Sequence, residues 1–108
     1  MKKKEIKILL VDDEPDILEI VGYNLSNEGY QVVTAENGKE GVKMAKKHNP
    51  HLIILDVMMP EMDGIEACEQ IRKLPEHAET IITFLTARGE DYSQVAGYDA
   101  GADDYITK

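Results

Sequence analysis

Apolar residues in this chain gather in short blocks, separated by longer stretches in which they recur every third or fourth position. Residues 6–11, 31–35, 52–55 and 81–85 carry strand signals, and a last short one spans 104–107. The first, third and fourth blocks are nearly continuous in Ile, Leu, Val and Phe. Such runs suit parallel strands buried on both faces, where an alternating pattern would mark a sheet with one wet face.

The stretches between them predict helices. Pro15 fits a first helical turn after a capping Asp13, and Ile17, Leu18, Val21 and Leu25 then share one face. Gly29 follows as a stop. A second helix is expected over residues 39–48, burying Val42 and Ala45 and ending at Asn49-Pro50. A third begins near Gly64 with Ile65, Cys68 and Ile71 inward. A fourth, over residues 91–100 with Tyr92, Val95 and Ala96 inward, is less well patterned.

Strands alternating with helices require crossover connections and a parallel sheet. The 108 residues contain no internal repeat and no linker, so the expectation is one doubly wound α/β domain over 1–108. In such sheets ligands sit outside the carboxyl ends of the strands, at the point where the strand order reverses. That rule says where to look for chemistry before any motif is considered.

Composition narrows the reading further. Twenty-one acidic against 12 basic residues give a net charge of −9, which argues against this domain gripping a nucleic-acid backbone itself. Most of these carboxylates are read as a solvated surface. The single cysteine, Cys68, cannot form an internal disulfide and is read as core packing in a reducing, cytoplasmic setting. Met1-Lys2-Lys3-Lys4 imitates the basic start of a signal peptide, but the apolar run at 8–11 is too short for a signal core or a membrane span. His48, His51 and His77 have no metal-binding spacing and are read as surface residues.

Every strand of the central group terminates in a polar residue at the same sheet edge. Asp12 and Asp13 follow the first, Asp56 ends the third, Thr86 ends the fourth and Lys108 follows the last. Taken singly, each has a mundane explanation: a helix cap for Asp13, a turn for Thr86, a surface charge for Lys108. Asp56 resists one, because four apolar residues precede it and a carboxylate at the end of a buried strand is costly unless paired or solvated. Three acids converging on one crevice call for a cation. A magnesium ion fits, since it takes one or two carboxylates together with carbonyls and waters. Lys108 offers a second positive charge. A carboxylate so placed can act as a nucleophile toward a phosphoryl group, with the Thr86 hydroxyl as a hydrogen-bond donor to its oxygens.

Four stretches, ILLVDDEPD (8–16), LIILDVMMPEMDG (52–64), FLTA (84–87) and GADDYITK (101–108), resemble the receiver domain of bacterial response regulators in residue type, order and spacing. The resemblance covers essentially the whole chain. It implies a five-stranded sheet of flavodoxin-like order 2-1-3-4-5, with Asp56 as the phosphoacceptor for a sensor histidine kinase. It implies Asp13, Asp56 and the Met58 backbone carbonyl as magnesium ligands, with Asp12 acting mainly through water. Thr86 corresponds to the hydroxyl that swings toward the phosphoryl group, Tyr105 to the aromatic switch that follows it, and Lys108 to the cationic partner. Met58 and Arg88 take positions that tune phosphoryl loss, their bulk resembling slowly hydrolysing members. Met59 and Met62 are read as packing, and Gly64 as supplying a backbone angle that other residues resist.

The GADDYITK stretch further resembles the class whose receivers precede a winged-helix DNA-binding domain and dimerise through helix four, strand five and helix five. Asp103 and Asp104 would then join interfacial ion pairs. The chain departs from the family by stopping at Lys108, without the fifth helix, and reads as a truncated receiver. One sheet face would then lose its cover, with weak stability or self-association expected. Three rivals stand beside this reading. A dehalogenase-type phosphatase needs a second carboxylate two residues after the nucleophile, where this chain has Met58. A flavin binder needs a phosphate-cradling loop where Asp12-Asp13-Glu14 would repel phosphate. A receiver used only for protein contacts would need no intact site.

Overall fold

The structure is a computed structural model that describes residues 2–86 and 101–107, with only the backbone described at Thr86, Tyr105 and Thr107. The expected fourth helix, Arg88 and Lys108 lie outside the described residues. The elements are β1 (Lys7–Val11), α1 (Pro15–Asn27), β2 (Gln31–Ala35), α2 (Gly38–His48), β3 (Leu52–Asp56), α3 (Gly64–Arg72), β4 (Ile81–Thr86) and β5 (Asp104–Thr107). All strand pairs are parallel, in the order β2-β1-β3-β4-β5. The order reverses between β1 and β3, which pair through Val11 and Leu55.

The continuous apolar blocks form the interior of the sheet. In both β1 and β3 only the first residue escapes full burial, whereas β2 at the edge buries only Ala35. Side chains alternate across the sheet, so each inner strand feeds two cores. Leu9, Val11, Ile53, Leu55, Ile82 and Phe84 meet α2 and α3 on one face. On the other, Ile8, Leu10, Ile54 and Leu85 meet Ile17, Leu18, Val21 and Leu25 of α1. Beside α1 on this second face runs an apolar groove of about 880 Å³, lined by Ile6, Ile8, Leu25, Tyr30, Leu52 and Ile81 among others.

Helix ends follow the sequence signals with one exception. Gly29 adopts φ 106° and ends α1, and Asn49 closes α2 in the left-handed region with φ 48°. Asn37 caps α2 by accepting a hydrogen bond from the Glu40 N–H at 2.8 Å, and Asp63 caps α3 by accepting from the Glu66 N–H at 2.8 Å. Asp13, however, is not the cap of α1. Glu14 occupies that position without a side-chain capping bond, and the carboxylate that binds this turn is that of Asp12, whose Oδ1 accepts from the Glu14 N–H at 2.8 Å. Proline at the first position removes one of the donors a cap would satisfy, so the helix starts without one.

His77 corrects the reading of all three histidines as surface residues. It is 1% exposed, with Nε2 at 2.8 Å from the Ala45 carbonyl and Nδ1 at 2.8 Å from the Thr80 hydroxyl. A carbonyl can only accept, so Nε2 carries a proton, and in the neutral ring Nδ1 accepts from Thr80. His77 thereby ties α2 to the turn that precedes β4. Exposed His51 accepts the Lys7 N–H at its Nδ1, 3.0 Å away.

Arg72, at the end of α3, gathers three segments. Its guanidinium donates to the carbonyls of Gly101 at 2.8 Å, His77 at 2.9 Å and Thr80, and it pairs with Asp103 at 2.9 Å. The same Asp103 oxygen accepts the Ile82 N–H at 2.9 Å, while the Asp103 N–H donates to the Ile82 carbonyl at 2.8 Å. This set fixes the entry of β5 against β4.

Cys68 is fully buried in the α2/α3 core, as read from the sequence. Burial pushes its thiol from 9.0 up to about 11; Arg72 draws it down, and Asp103 and Glu69 add to the rise. Native protein should therefore resist iodoacetamide at pH 8, and urea-unfolded protein should react readily. Since the folded value exceeds the unfolded one, the contribution of this group to stability is constant below pH 9 and declines as pH rises through about 11.

Candidate functional site

Asp12 and Asp56 come together because β1 and β3 are neighbours in register. Val11 opposes Leu55, so the next residues along each strand are the two aspartates. The sheet carries both into a low-dielectric setting: Asp12 is 0% exposed and Asp56 3%. Asp13, one residue farther along, is exposed. One carboxylate oxygen from each of Asp12, Asp13 and Asp56 lies within 4.8 Å of the others. This cluster stands at the carboxyl edge of the sheet, beside the point where strand order reverses, as the fold rule anticipates.

Two like charges 4.8 Å apart repel by about 3.5 kcal/mol at an effective dielectric of 20. Such an arrangement costs stability unless a cation offsets it. The donor set is all oxygen and carries three negative charges, two of them shielded from water. That is the chemistry of a hard divalent ion, and a thiolate- or imidazole-preferring metal has no ligand here. The residues present therefore fit magnesium.

The loop after Asp56 is tightly held. The Val57 N–H donates to the Leu85 carbonyl at 3.3 Å, and the Gly64 N–H returns to the Val57 carbonyl at 2.9 Å. Gly64 is needed here for space and not for a backbone angle, contrary to the sequence reading. A β-carbon at this position would stand 2.1 Å from the Asp56 carbonyl oxygen, while the residue of this loop with positive φ is Glu61 at 66°. Met59 is buried and Met62 packs against the same core, consistent with their reading as packing residues. Met58 projects outward and is 58% exposed.

The remaining expected residues divide between backbone and undescribed positions. Thr86 ends β4 one residue past Leu85, the partner of Asp56, and its backbone pairs with Thr107. The backbone of Tyr105 pairs with Phe84. Arg72 and His77 were not selected by sequence reasoning. Both act on partners distant in the chain, and the only local hint was Pro75, which opens the short 3-10 turn Pro75–His77.

Among the described residues, no helix is long and apolar enough to cross a membrane. A family model described as the response regulator receiver domain matches residues 8–108. The chain is 48% identical over 102 residues to the alkaline phosphatase synthesis transcriptional regulatory protein PhoP of Bacillus subtilis, covering 94% of this chain and 42% of that protein. It is 48% identical over 104 residues to the transcriptional regulatory protein ResD of the same organism, covering 96% and 42%. This chain thus spans less than half the length of these relatives. Among solved structures, the chemotaxis protein CheY4 of Vibrio cholerae superposes with a TM-score of 0.92 at 34% identity, over 95% of this chain and 86% of that one. The response regulator TrrA of Thermotoga maritima, in complex with Mg(2+)-BeF, gives a TM-score of 0.84 at 41% identity, over 95% and 86%.

Proposed function

Because this chain belongs to the response regulator receiver domain family, we propose that Asp56 is its phosphoacceptor and that Asp12, Asp13 and Asp56 hold a magnesium ion beside it. The observation that carries this reading is the convergence of three acids, two of them buried, at one sheet edge. The Mg(2+)-BeF complex of the similar TrrA supports it.

The donor is a phosphohistidine of a sensor kinase. An Asp56 carboxylate oxygen forms the new bond to phosphorus as the bond from phosphorus to the histidine nitrogen breaks, and the electron pair leaves on that imidazole. Asp56 needs no general base, because a carboxylate is ionised at neutral pH. Magnesium, when bound, neutralises the acids and the phosphoryl oxygens. Asp13, Asp56 and the Met58 carbonyl would hold it directly, and Asp12 would act through water. Thr86 donates to a phosphoryl oxygen, Lys108 supplies a cation, and Tyr105 follows Thr86 as the switch. Phosphorylation alters the surface that contacts a second copy or an output domain, in transcription regulation within the cytoplasm. With a net charge of −9, the domain leaves nucleic-acid contact to other parts of a longer protein. Within the chain, Asp103 directs its carboxylate to Arg72 and Ile82, and Asp104 is exposed.

Incubating the purified chain with acetyl phosphate and magnesium, then measuring intact mass, tests this reading. One added phosphoryl group is expected, lost slowly over minutes or longer. No added mass, or a small-molecule product released over many turnovers, would defeat it; the second outcome would indicate a phosphatase.

A further inference from the structure

The first turn of α2 touches both chain segments that carry the acids. Gly41 packs against Val11, the residue before Asp12, with its absent β-carbon only 2.9 Å from Val11 Cγ2. Gly38 packs against the loop that follows Asp56. A β-carbon there would lie 2.4 Å from the Met62 backbone carbonyl oxygen and 2.9 Å from Met62 Cγ. No real β-carbon stands that close to a carbonyl, and a backbone atom cannot swing aside as a side-chain tip can. The loop itself has little slack. Gly64 lies against the Asp56 carbonyl, the Gly64 N–H is bonded to Val57, and Asp63 is held as the cap of α3. Pressure on Met62 is therefore passed along residues 57–63 to Met58 and Asp56.

We propose that Gly38 is a positioning residue for the metal site: the bare first turn of α2 sets where the loop after Asp56 lies, and with it the Met58 carbonyl. This inference rests on the reading of the acidic cluster as a magnesium site. It assigns a role to a residue that touches neither metal nor phosphoryl group.

The test compares wild type, Gly38→Ala, Met62→Ala and Val42→Ala by titration calorimetry with magnesium chloride. Hydrogen exchange of the Gly64 amide in metal-free buffer is the second readout. Gly38→Ala should bind magnesium about 10- to 100-fold more weakly, the range for losing a group that orients a ligand, and its Gly64 amide should exchange faster. Val42→Ala, which trims the same helix inside the core, should lower the denaturation midpoint and leave both readouts as in wild type. Wild-type affinity and wild-type Gly64 exchange in Gly38→Ala would overturn the proposal, as would an equal loss of affinity in Val42→Ala. If Gly38→Ala does not fold, Met62→Ala decides, since it removes the side-chain part of the contact beyond Cβ without a clash: weaker binding and faster Gly64 exchange support the proposal, and unchanged values refute it. Absence of magnesium binding in wild type would defeat the reading of the site, and the Gly64 comparison would still decide whether α2 holds the loop.

Discussion

Asp56→Asn should abolish phosphoryl incorporation from acetyl phosphate completely, and in metal-free buffer it should denature at a higher temperature than wild type. The first effect follows from chemistry. A carboxamide presents no anionic oxygen to phosphorus, and neither Asp12 nor Asp13 can substitute without leaving its own strand end. The second follows from electrostatics. Asn removes one of three charges whose oxygens lie within 4.8 Å of one another, and two of those carboxylates are buried. Because Asp13 is exposed and solvent screens it, a gain on the order of 1 kcal/mol is expected, well short of the unscreened pair energy. Magnesium should then raise the wild-type midpoint more than that of the variant, because a ligand stabilises in proportion to its affinity for the folded state. Intact mass and thermal denaturation with and without magnesium measure both effects. Phosphoryl incorporation by the variant would remove Asp56 from its assigned role.

Arg72→Ala should destabilise the domain by about 3–5 kcal/mol, because three carbonyls lose a charged donor at roughly 1–2 kcal/mol each. The Arg72 side chain is 17% exposed and that of Asp103 51%, so most of the loss comes from carbonyls left without their donor, with the ion pair itself a smaller part. The carbonyls of Gly101, His77 and Thr80 all face this one guanidinium. Against a total of roughly 5–15 kcal/mol for a domain, the change removes a large share, and a urea titration should show the midpoint falling accordingly. Arg72→Lys should recover little, because a single ammonium cannot reproduce a planar fork that reaches three segments at once. A midpoint within experimental error of wild type would mean that these bonds are replaced by water at no cost.

The parts of the molecule legible in the sequence were those governed by near neighbours. Continuous apolar blocks revealed β1 and β3, and the acids that follow them marked the functional edge because a parallel sheet aligns its strand ends. What escaped depends on contacts distant in the chain. Gly64 was recognised as necessary for the wrong reason: a glycine reports that a side chain is unwelcome, and only the fold tells whether angle or space excludes it. His77 sits among Pro75, Glu76 and Glu79, a setting that reads as a wet turn, and nothing local signals that the Ala45 carbonyl lies within hydrogen-bond reach of its Nε2. Arg72 looked like an ordinary basic residue closing a helix, although its bond to Asp103 spans 31 positions.

Among the described residues the two sheet faces are unequally furnished: fourteen buried residues make up the cluster on the face of α2 and α3, against four on the face of α1. Partial opening of a native protein begins where least apolar surface must be exposed, so α1 should detach at a lower free energy than the opposite layer. Asp12 and Asp13 lead directly into that weaker helix, whereas Asp56 leads into the stronger layer. The acidic crevice thus straddles a seam between two units of different cooperativity, and an ion bridging its walls would act as a clasp that suppresses the earliest breathing motion of the domain.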